Sequence, residues 1–307
     1  LTRPAYAAVD WGTSSFRLWL MDSQNQVLAE RRSGEGMTTA AKAGFSTILS
    51  SHLDALAAPA DLPVIVCGMA GARQGWIEAG YVDVPASLPA VLEGAVSVPG
   101  ESRDIRILPG LAQRAADRPD VMRGEETQLL GALDPRAVGQ QVVCMPGTHS
   151  KWVHLSGETV TSFATYMTGE LFDVISKNSV LAHSLNGAES FDGDNPVFGE
   201  AVQAAFRFPQ QVTNLLFTVR SGMLLHGLSP TDAAARLSGT LIGTEIAGGL
   251  TALATIPAIR LVASGRLGGL YEGAFRALSL AHETIDADEA VRRGLAAAAQ
   301  KLLLAQK

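Results

Sequence analysis

Asp10 closes the apolar run Ala7–Val9 and is separated only by Trp11 from Gly12-Thr13-Ser14-Ser15, a tight turn dense in hydroxyls. The same idea recurs at Val142–Met145, which enters Pro146-Gly147-Thr148-His149-Ser150-Lys151. Glycine lets a backbone approach a ligand closely, and successive N–H groups and hydroxyls around it form a cradle for anions. Gly12 and Gly147 lie 135 positions apart, so each turn could open one half of the chain. Two such cradles point to a bound phosphate chain. A carboxylate at Asp10 would repel phosphate unless a divalent cation intervened, which makes it a candidate Mg²⁺ ligand. A turn-initiating Asp bonded to its own backbone would look the same in sequence.

Proton transfer needs a carboxylate of a different kind. In Arg123-Gly124-Glu125-Glu126-Thr127-Gln128 two acids open a helical pattern. The helix dipole favours them there in any case, but one could also take a hydroxyl proton as that oxygen attacks phosphorus. Neighbours on a helix diverge by about 100°, so only one can face a given point; Glu125 is preferred, with Glu126 and Asp10 as the other candidates. Arg73, next to Gln74 in the loop Gly68–Trp76, could fork onto a substrate carboxylate or sit in a surface ion pair. Lys151 and His149 are candidate phosphate partners. His149 has no second His or Cys at ligand spacing, so it is not expected to hold a metal. Ser264-Gly265 follows an apolar strand and could admit a nucleoside to the backbone, or could be a plain strand-to-helix turn. Arg17 receives no role. A Gly-x-x-x-x-Gly-Lys-Ser/Thr loop and a Gly-x-Ser-x-Gly elbow are both missing from the sequence.

The elements that must carry these residues read as two mixed α/β lobes, 1–138 and 139–307. The first has strands at 5–11, 15–21 and 26–31, a helix at about 43–58, strands at 63–67 and 105–108, and a helix from about 124 to 133, with Asp134-Pro135 as a stop. The second repeats the meander at 142–146, 151–155 and 159–165 and then turns helical. It has one helix over 169–181, one opened by Ser229-Pro230-Thr231-Asp232, a strand at 259–263, and a last helix from Asp286 to about Ala305 that is expected to pack back on the first lobe. The apolar window 239–259 reads as a tightly packed internal helix rather than a membrane span.

Bulk properties limit the function. The 307 residues carry 24 Lys+Arg against 30 Asp+Glu, a formal charge of −6. That balance argues against nucleic acid as a partner. Cys67 and Cys144 each end an apolar run and read as reduced, buried thiols. No leader-type segment is evident, and a cytoplasmic protein is expected.

With these pieces assembled, the chain resembles the 2-dehydro-3-deoxygalactonokinases of the actin-like ATPase and hexokinase superfamily. The resemblance rests on Val9–Arg17, Cys67–Trp76, Arg123–Gln128, Pro146–Trp152, Met167-Thr168-Gly169-Glu170-Leu171-Phe172 and Leu237-Ser238-Gly239. It implies an α/β fold of two ribonuclease H-like lobes around a cleft. It also implies ATP and Mg²⁺ as cofactors and phosphorylation of the 6-hydroxyl of 2-dehydro-3-deoxy-D-galactonate in galactonate catabolism. By the same resemblance Asp10, Gly12, Thr13 and Ser14 match the first phosphate turn, Gly147, Thr148 and Ser150 match the second, and Glu125 or Glu126 falls where the carboxylate base is expected. Ser15 and Lys151, beside those turns, are further candidate cofactor contacts. Ser264 and Gly265 fall on the adenosine side, Arg73 and Gln74 on the sugar-acid side. Ala72 stands where a Ser is expected. A homodimer stays open, as do a kinase for another sugar or sugar acid and a phosphoanhydride hydrolase of the same superfamily.

Overall fold

A computed structural model describes residues 3–133, 139–251 and 253–305. The chain forms two compact units. One comprises Leu1–Gly139, Leu155–Ser162 and Ala287–Lys307; the other comprises Gln140–His154 and Phe163–Asp286. They are therefore not simply the two sequence halves.

The first unit opens with the meander β1 (Tyr6–Trp11), β2 (Phe16–Met21) and β3 (Val27–Ser33). The expected helix at 43–58 is α2 (Phe45–Ala55), and a short helix that the sequence pattern did not reveal, α1 (Met37–Ala43), precedes it. They are divided at Gly44, whose φ of +95° no helix can carry. Then follow β4 (Val64–Gly68), β5 (Tyr81–Asp83), β6 (Ala86–Ser87), α3 (Leu88–Val91), β7 (Val96–Ser97), β8 (Ile105–Ile107), β9 (Gly110–Gln113), β10 (Asp120–Met122) and α4 (Glu125–Ala132). The main sheet runs β3-β2-β1-β4-β8-β7, and β10-β9-β5 form a small second sheet. β1 pairs antiparallel with β2 but parallel with β4, so Asp10 lies beside Arg17 on one side and Cys67 on the other. The expected stop at Asp134-Pro135 lies outside the described residues.

The second unit repeats this strand order. β11 (Gln140–Met145), β12 (Ser150–Ser156) and β13 (Thr159–Tyr166) are followed by α5 (Thr168–Asn178), α6 (Ala182–Leu185), α7 (Pro196–Arg207), α8 (Val212–His226), α9 (Pro230–Leu250), β14 (Ile259–Val262), α10 (Gly265–Ala277) and β15 (His282–Ile285). Its strands lie in the order β13-β12-β11-β14-β15, matching β3-β2-β1-β4-β8. Ser229 caps α9 by accepting the Asp232 N–H at 3.1 Å, and Asn195 caps α7 by accepting from Phe198 N at 3.0 Å. The apolar window 239–259 is only half helix: α9 ends at Leu250 and the window closes on the first residue of β14. Gly239 and Gly243 bring α9 onto α7, since a Cβ there would fall 2.5 and 2.4 Å from the Phe198 and Val202 carbonyl oxygens. No described helix is long and apolar enough to cross a membrane.

The last helix, α11 (Ala287–Ala299), continues into a π-helical turn at Gln300–Leu304 and belongs to the first unit. Val291, Leu295, Ala298 and Ala299 pack with Tyr6, Ala8, Trp19, Ile65 and Cys67 in one buried cluster. Its closest neighbour is α4. A Cβ on Gly131 would lie 1.9 Å from the Ala290 carbonyl oxygen, and one on Gly294 1.9 Å from that of Thr127. Only glycine permits that approach.

Candidate active site

In the first unit, the turn after β1 is closed by the Gly12 N–H donating to the Ser15 carbonyl at 2.9 Å, with Thr13, Ser14 and Ser15 exposed. The segment before α1 lies against it. Met37 N donates to Gly12 O at 2.9 Å, Trp11 Nε1 donates to Glu35 O at 3.0 Å, and a Cβ on Gly36 would fall 2.5 Å from Ser14 N and Ser15 N. Sequence reading missed this support; the only signal was the pair of glycines flanking Glu35.

Asp10 accepts from Arg17 Nη2 at 2.6 Å, and its other oxygen is 3.8 Å from the Cys67 thiol. Its side chain is 15% exposed. Burial pushes its carboxyl up from the ordinary range, against the pull of Arg17. Arg17, unassigned from sequence, also pairs with Asp288 on the first turn of α11, which Arg32 holds at 2.9 Å. The guanidinium is thus shared between two carboxylates. Among the described residues, no group of three His, Cys, Asp or Glu is placed to hold a metal ion by itself. Asp10 still fits Mg²⁺, which keeps most of its waters and is commonly held by one or two carboxylates together with substrate phosphates.

α4 brings the acidic pair to the same neighbourhood, because Gly124, at φ +104°, packs on Gly68, which itself abuts Asp10. The two acids differ in burial. Glu126 is 3% exposed; it accepts the Gly124 N–H at 2.7 Å and the Thr127 hydroxyl at 3.2 Å. Burial first, and the charge of Glu125 second, push its carboxyl up to about 8. Glu125 is half-buried and accepts from Arg123 N at 3.1 Å. Arg123 donates to the carbonyls of Ala79 and Gly80 at 3.0 Å each and stacks on Tyr81, so it is structural. Arg73 and Gln74 are exposed, and neither has a hydrogen bond or ion pair within the described residues. Their loop is pinned beneath them: Trp76 N donates to Ala70 O at 2.7 Å, and its ring stacks on Phe45.

In the second unit, Thr148 and His149 are the exposed residues of the turn after β11, Gly147 is half-buried, and α5 abuts the turn. A Cβ on Gly169 would lie 2.6 Å from Gly147 O, and Glu170 N donates to Thr148 O at 3.1 Å. His149 pairs with Glu170. Two expectations are corrected here. The Ser150 hydroxyl is fully buried, 3.1 Å from the Tyr271 hydroxyl, because β12 directs it into the core. Lys151 is 5% exposed, and its ammonium bends back to His149 O at 3.4 Å, so neither side chain is offered on the turn's surface.

Beside this turn a cavity of about 290 Å³ is lined by Gly147, Thr168, Gly169, Phe172, Phe191, Ser238, Leu241, Ile242, Arg266, Leu267, Leu270 and Tyr271. Arg266 lies over the Phe191 ring at 5.0 Å and donates to the Phe191 carbonyl at 3.2 Å. The cavity unites two sequence motifs that carried no assigned role, Met167–Phe172 and Leu237–Gly239. Ser264 and Gly265 do not line it. Ser264 caps the start of α10 and donates to Asp286 at 2.7 Å, and no atom lies within 4 Å of a Cβ on Gly265. That helix contributes Arg266, Leu267, Leu270 and Tyr271 to the wall instead. Apolar sides with a few hydroxyls and a short path to an anion cradle suit a nucleoside phosphate.

These features meet their counterparts in known proteins. The family model described as 2-keto-3-deoxy-galactonokinase matches residues 10–298. This chain belongs to that family. A probable 2-dehydro-3-deoxygalactonokinase of Rhizobium meliloti is 57% identical over 97% of both chains. The 2-dehydro-3-deoxygalactonokinase of Escherichia coli is 34% identical over 94% of this chain and 96% of its own. A crystal structure from Sinorhizobium meliloti, described as a 2-dehydro-3-deoxygalactonokinase protein, superposes with a TM-score of 0.95 at 57% identity, covering 97% of this chain and 99% of its own. The activator of 2-hydroxyisocaproyl-CoA dehydratase from Clostridium difficile shares the fold at 12% identity and a TM-score of 0.52, covering 98% and 96%. In this chain each of the two repeated sheets carries a Gly-Thr turn after its first strand, β1 and β11. Asp10, Glu125 and Glu126 all fall within the matched span.

Proposed function

We propose that the protein transfers the γ-phosphoryl group of ATP to the 6-hydroxyl of 2-dehydro-3-deoxy-D-galactonate, a step of galactonate breakdown. The observation that carries this reading is the family match across residues 10–298, with two relatives of that activity name aligned over nearly the whole chain. On the first unit, Arg73 and Gln74 receive the sugar acid, the unpaired guanidinium forking onto its carboxylate. Glu125 accepts the hydroxyl proton as that oxygen bonds to phosphorus and the bond to the departing ADP oxygen breaks. It is preferred over Glu126 because it is half-buried, whereas Glu126 is enclosed in the fold. On the second unit, the Gly147-Thr148 turn receives phosphates and the neighbouring cavity receives the nucleoside. Asp10 would hold Mg²⁺ through its water shell, and the ion would supply neutralisation of phosphate charge. Such a kinase is expected in the cytoplasm, where ATP is available.

A coupled assay of ADP release against a panel of 2-keto-3-deoxy sugar acids tests the reading. Turnover with the galactonate-derived acid well above that with its stereoisomers is expected. ATP consumption with no acid present, at the same rate as with it, would overturn it.

A further inference from the structure

Glu245 lies in the middle of α9 and is 1% exposed, a carboxylate that the proposed reaction does not use. Trp152 Nε1 donates to one oxygen at 2.8 Å and the Tyr271 hydroxyl to the other at 2.7 Å. The side chains of Thr168 and Ser150 also hydrogen-bond to it. Four groups from β12, α5 and α10 thus converge on one side chain. An ionised carboxylate is acceptor-only, with about four lone-pair sites, so it matches four donors, one of which, the indole, can only donate. Burial raises the carboxyl's pKa, and the four hydrogen bonds work against that rise.

Two of those partners, Thr168 and Tyr271, line the cavity. A hydroxyl whose proton is committed to Glu245 has only lone pairs left for anything else. We propose that Glu245 is a positioning residue that sets the polarity of the cavity wall. By taking the Thr168 proton it leaves that oxygen facing the cavity as an acceptor for a hydroxyl or amine donor of the nucleoside. By holding Tyr271 it fixes the ring that forms the wall beside Thr168. The inference rests on the proposed nucleotide site, and extends it by naming the kind of group that site selects.

Glu245→Gln keeps shape and lets the indole still donate. Its new N–H₂ forces the Thr168 or Tyr271 hydroxyl to accept instead, turning a proton toward the cavity. The test is calorimetric binding of Mg²⁺–AMP-PNP. Glu245→Gln is expected to weaken it about threefold to tenfold, the share of one hydrogen bond, and Thr168→Val to weaken it similarly. The double variant is expected to be no worse than either single one, because both act through the same oxygen. Unchanged affinity in Glu245→Gln, or losses that multiply in the double variant, overturns the proposal. If Glu245→Gln does not fold, unchanged affinity in Thr168→Val overturns it. Leu241→Trp, which fills the cavity, separates the two levels. Lost binding there with wild-type affinity in Glu245→Gln rejects the positioning role alone, whereas retained binding in Leu241→Trp rejects the nucleotide site and this inference with it.

Discussion

Glu125 and Glu126 are adjacent in sequence and opposite in character, and the difference is one of burial. Glu125→Gln is expected to lower kcat by roughly 10²–10⁴-fold, the usual share of a general base, while AMP-PNP binding persists. Near-normal turnover would move the role elsewhere. Glu126 should show itself in stability. Its carboxyl stands at about 8 in the fold against an ordinary value of 4.5. Between those values the folded state holds a proton that the unfolded chain has lost, so this group's contribution falls as pH rises through the window and levels off above about 8. Thermal midpoints of the wild type and Glu126→Gln, taken from pH 5 to 9, should therefore separate in the variant's favour as pH rises. A constant gap would show that the carboxyl ionises normally. Arg73→Ala should raise KM for the sugar acid at least tenfold and leave KM for ATP nearly unchanged; equal effects on both would remove Arg73 from the acid site. The types and order of these residues were legible in sequence because turns and helix starts are local. Which glutamate turns inward was not, because that depends on Gly68 and Gly124 meeting across the fold.

At the scale of elements, α11 matters most to the first unit. It supplies Asp288 to Arg17, a partner 271 positions away that no local pattern could reveal. With Asp288 present, Arg17 divides its charge; without it, the guanidinium serves Asp10 alone and competes more strongly with a cation. Asp288→Asn is accordingly expected to raise the Mg²⁺ concentration for half-maximal rate severalfold, read from initial rates in a Mg²⁺ titration. An unchanged midpoint would break that link. The same helix depends on backbone contact with α4. A methyl at Gly294 would overlap the Thr127 carbonyl, so Gly294→Ala should cost about 1–3 kcal/mol by urea unfolding, the range for forced overpacking. The helix itself was legible from its capping acids and apolar spacing. The glycine contacts needed the partner helix in place. Ser150 and Lys151 illustrate the reverse failure: a hydroxyl and a cation beside a Gly-Thr turn look like phosphate ligands until β12 directs them inward.

For the whole molecule, the repeated Gly-Thr turns predicted a repeated lobe, and the repeated strand order β3-β2-β1-β4-β8 and β13-β12-β11-β14-β15 is its structural form. Strand alternation made the meanders readable. The cavity stayed hidden because its walls come from residues spread between Gly147 and Tyr271, none of them distinctive alone. The small β10-β9-β5 sheet was likewise missed, its strands being only three or four residues long.

The assignment of α11 to the first unit has a consequence for synthesis. The ribosome makes every residue of the second unit, through Asp286, before it makes the helix that fills the Tyr6–Cys67 cluster. Domains usually mature in the order in which they emerge. Here the unit that begins first must wait, its sheet lacking one covering helix, while the later unit finishes. Nascent chains arrested after residue 286 should accordingly resist protease in the second unit while the first is still being cut.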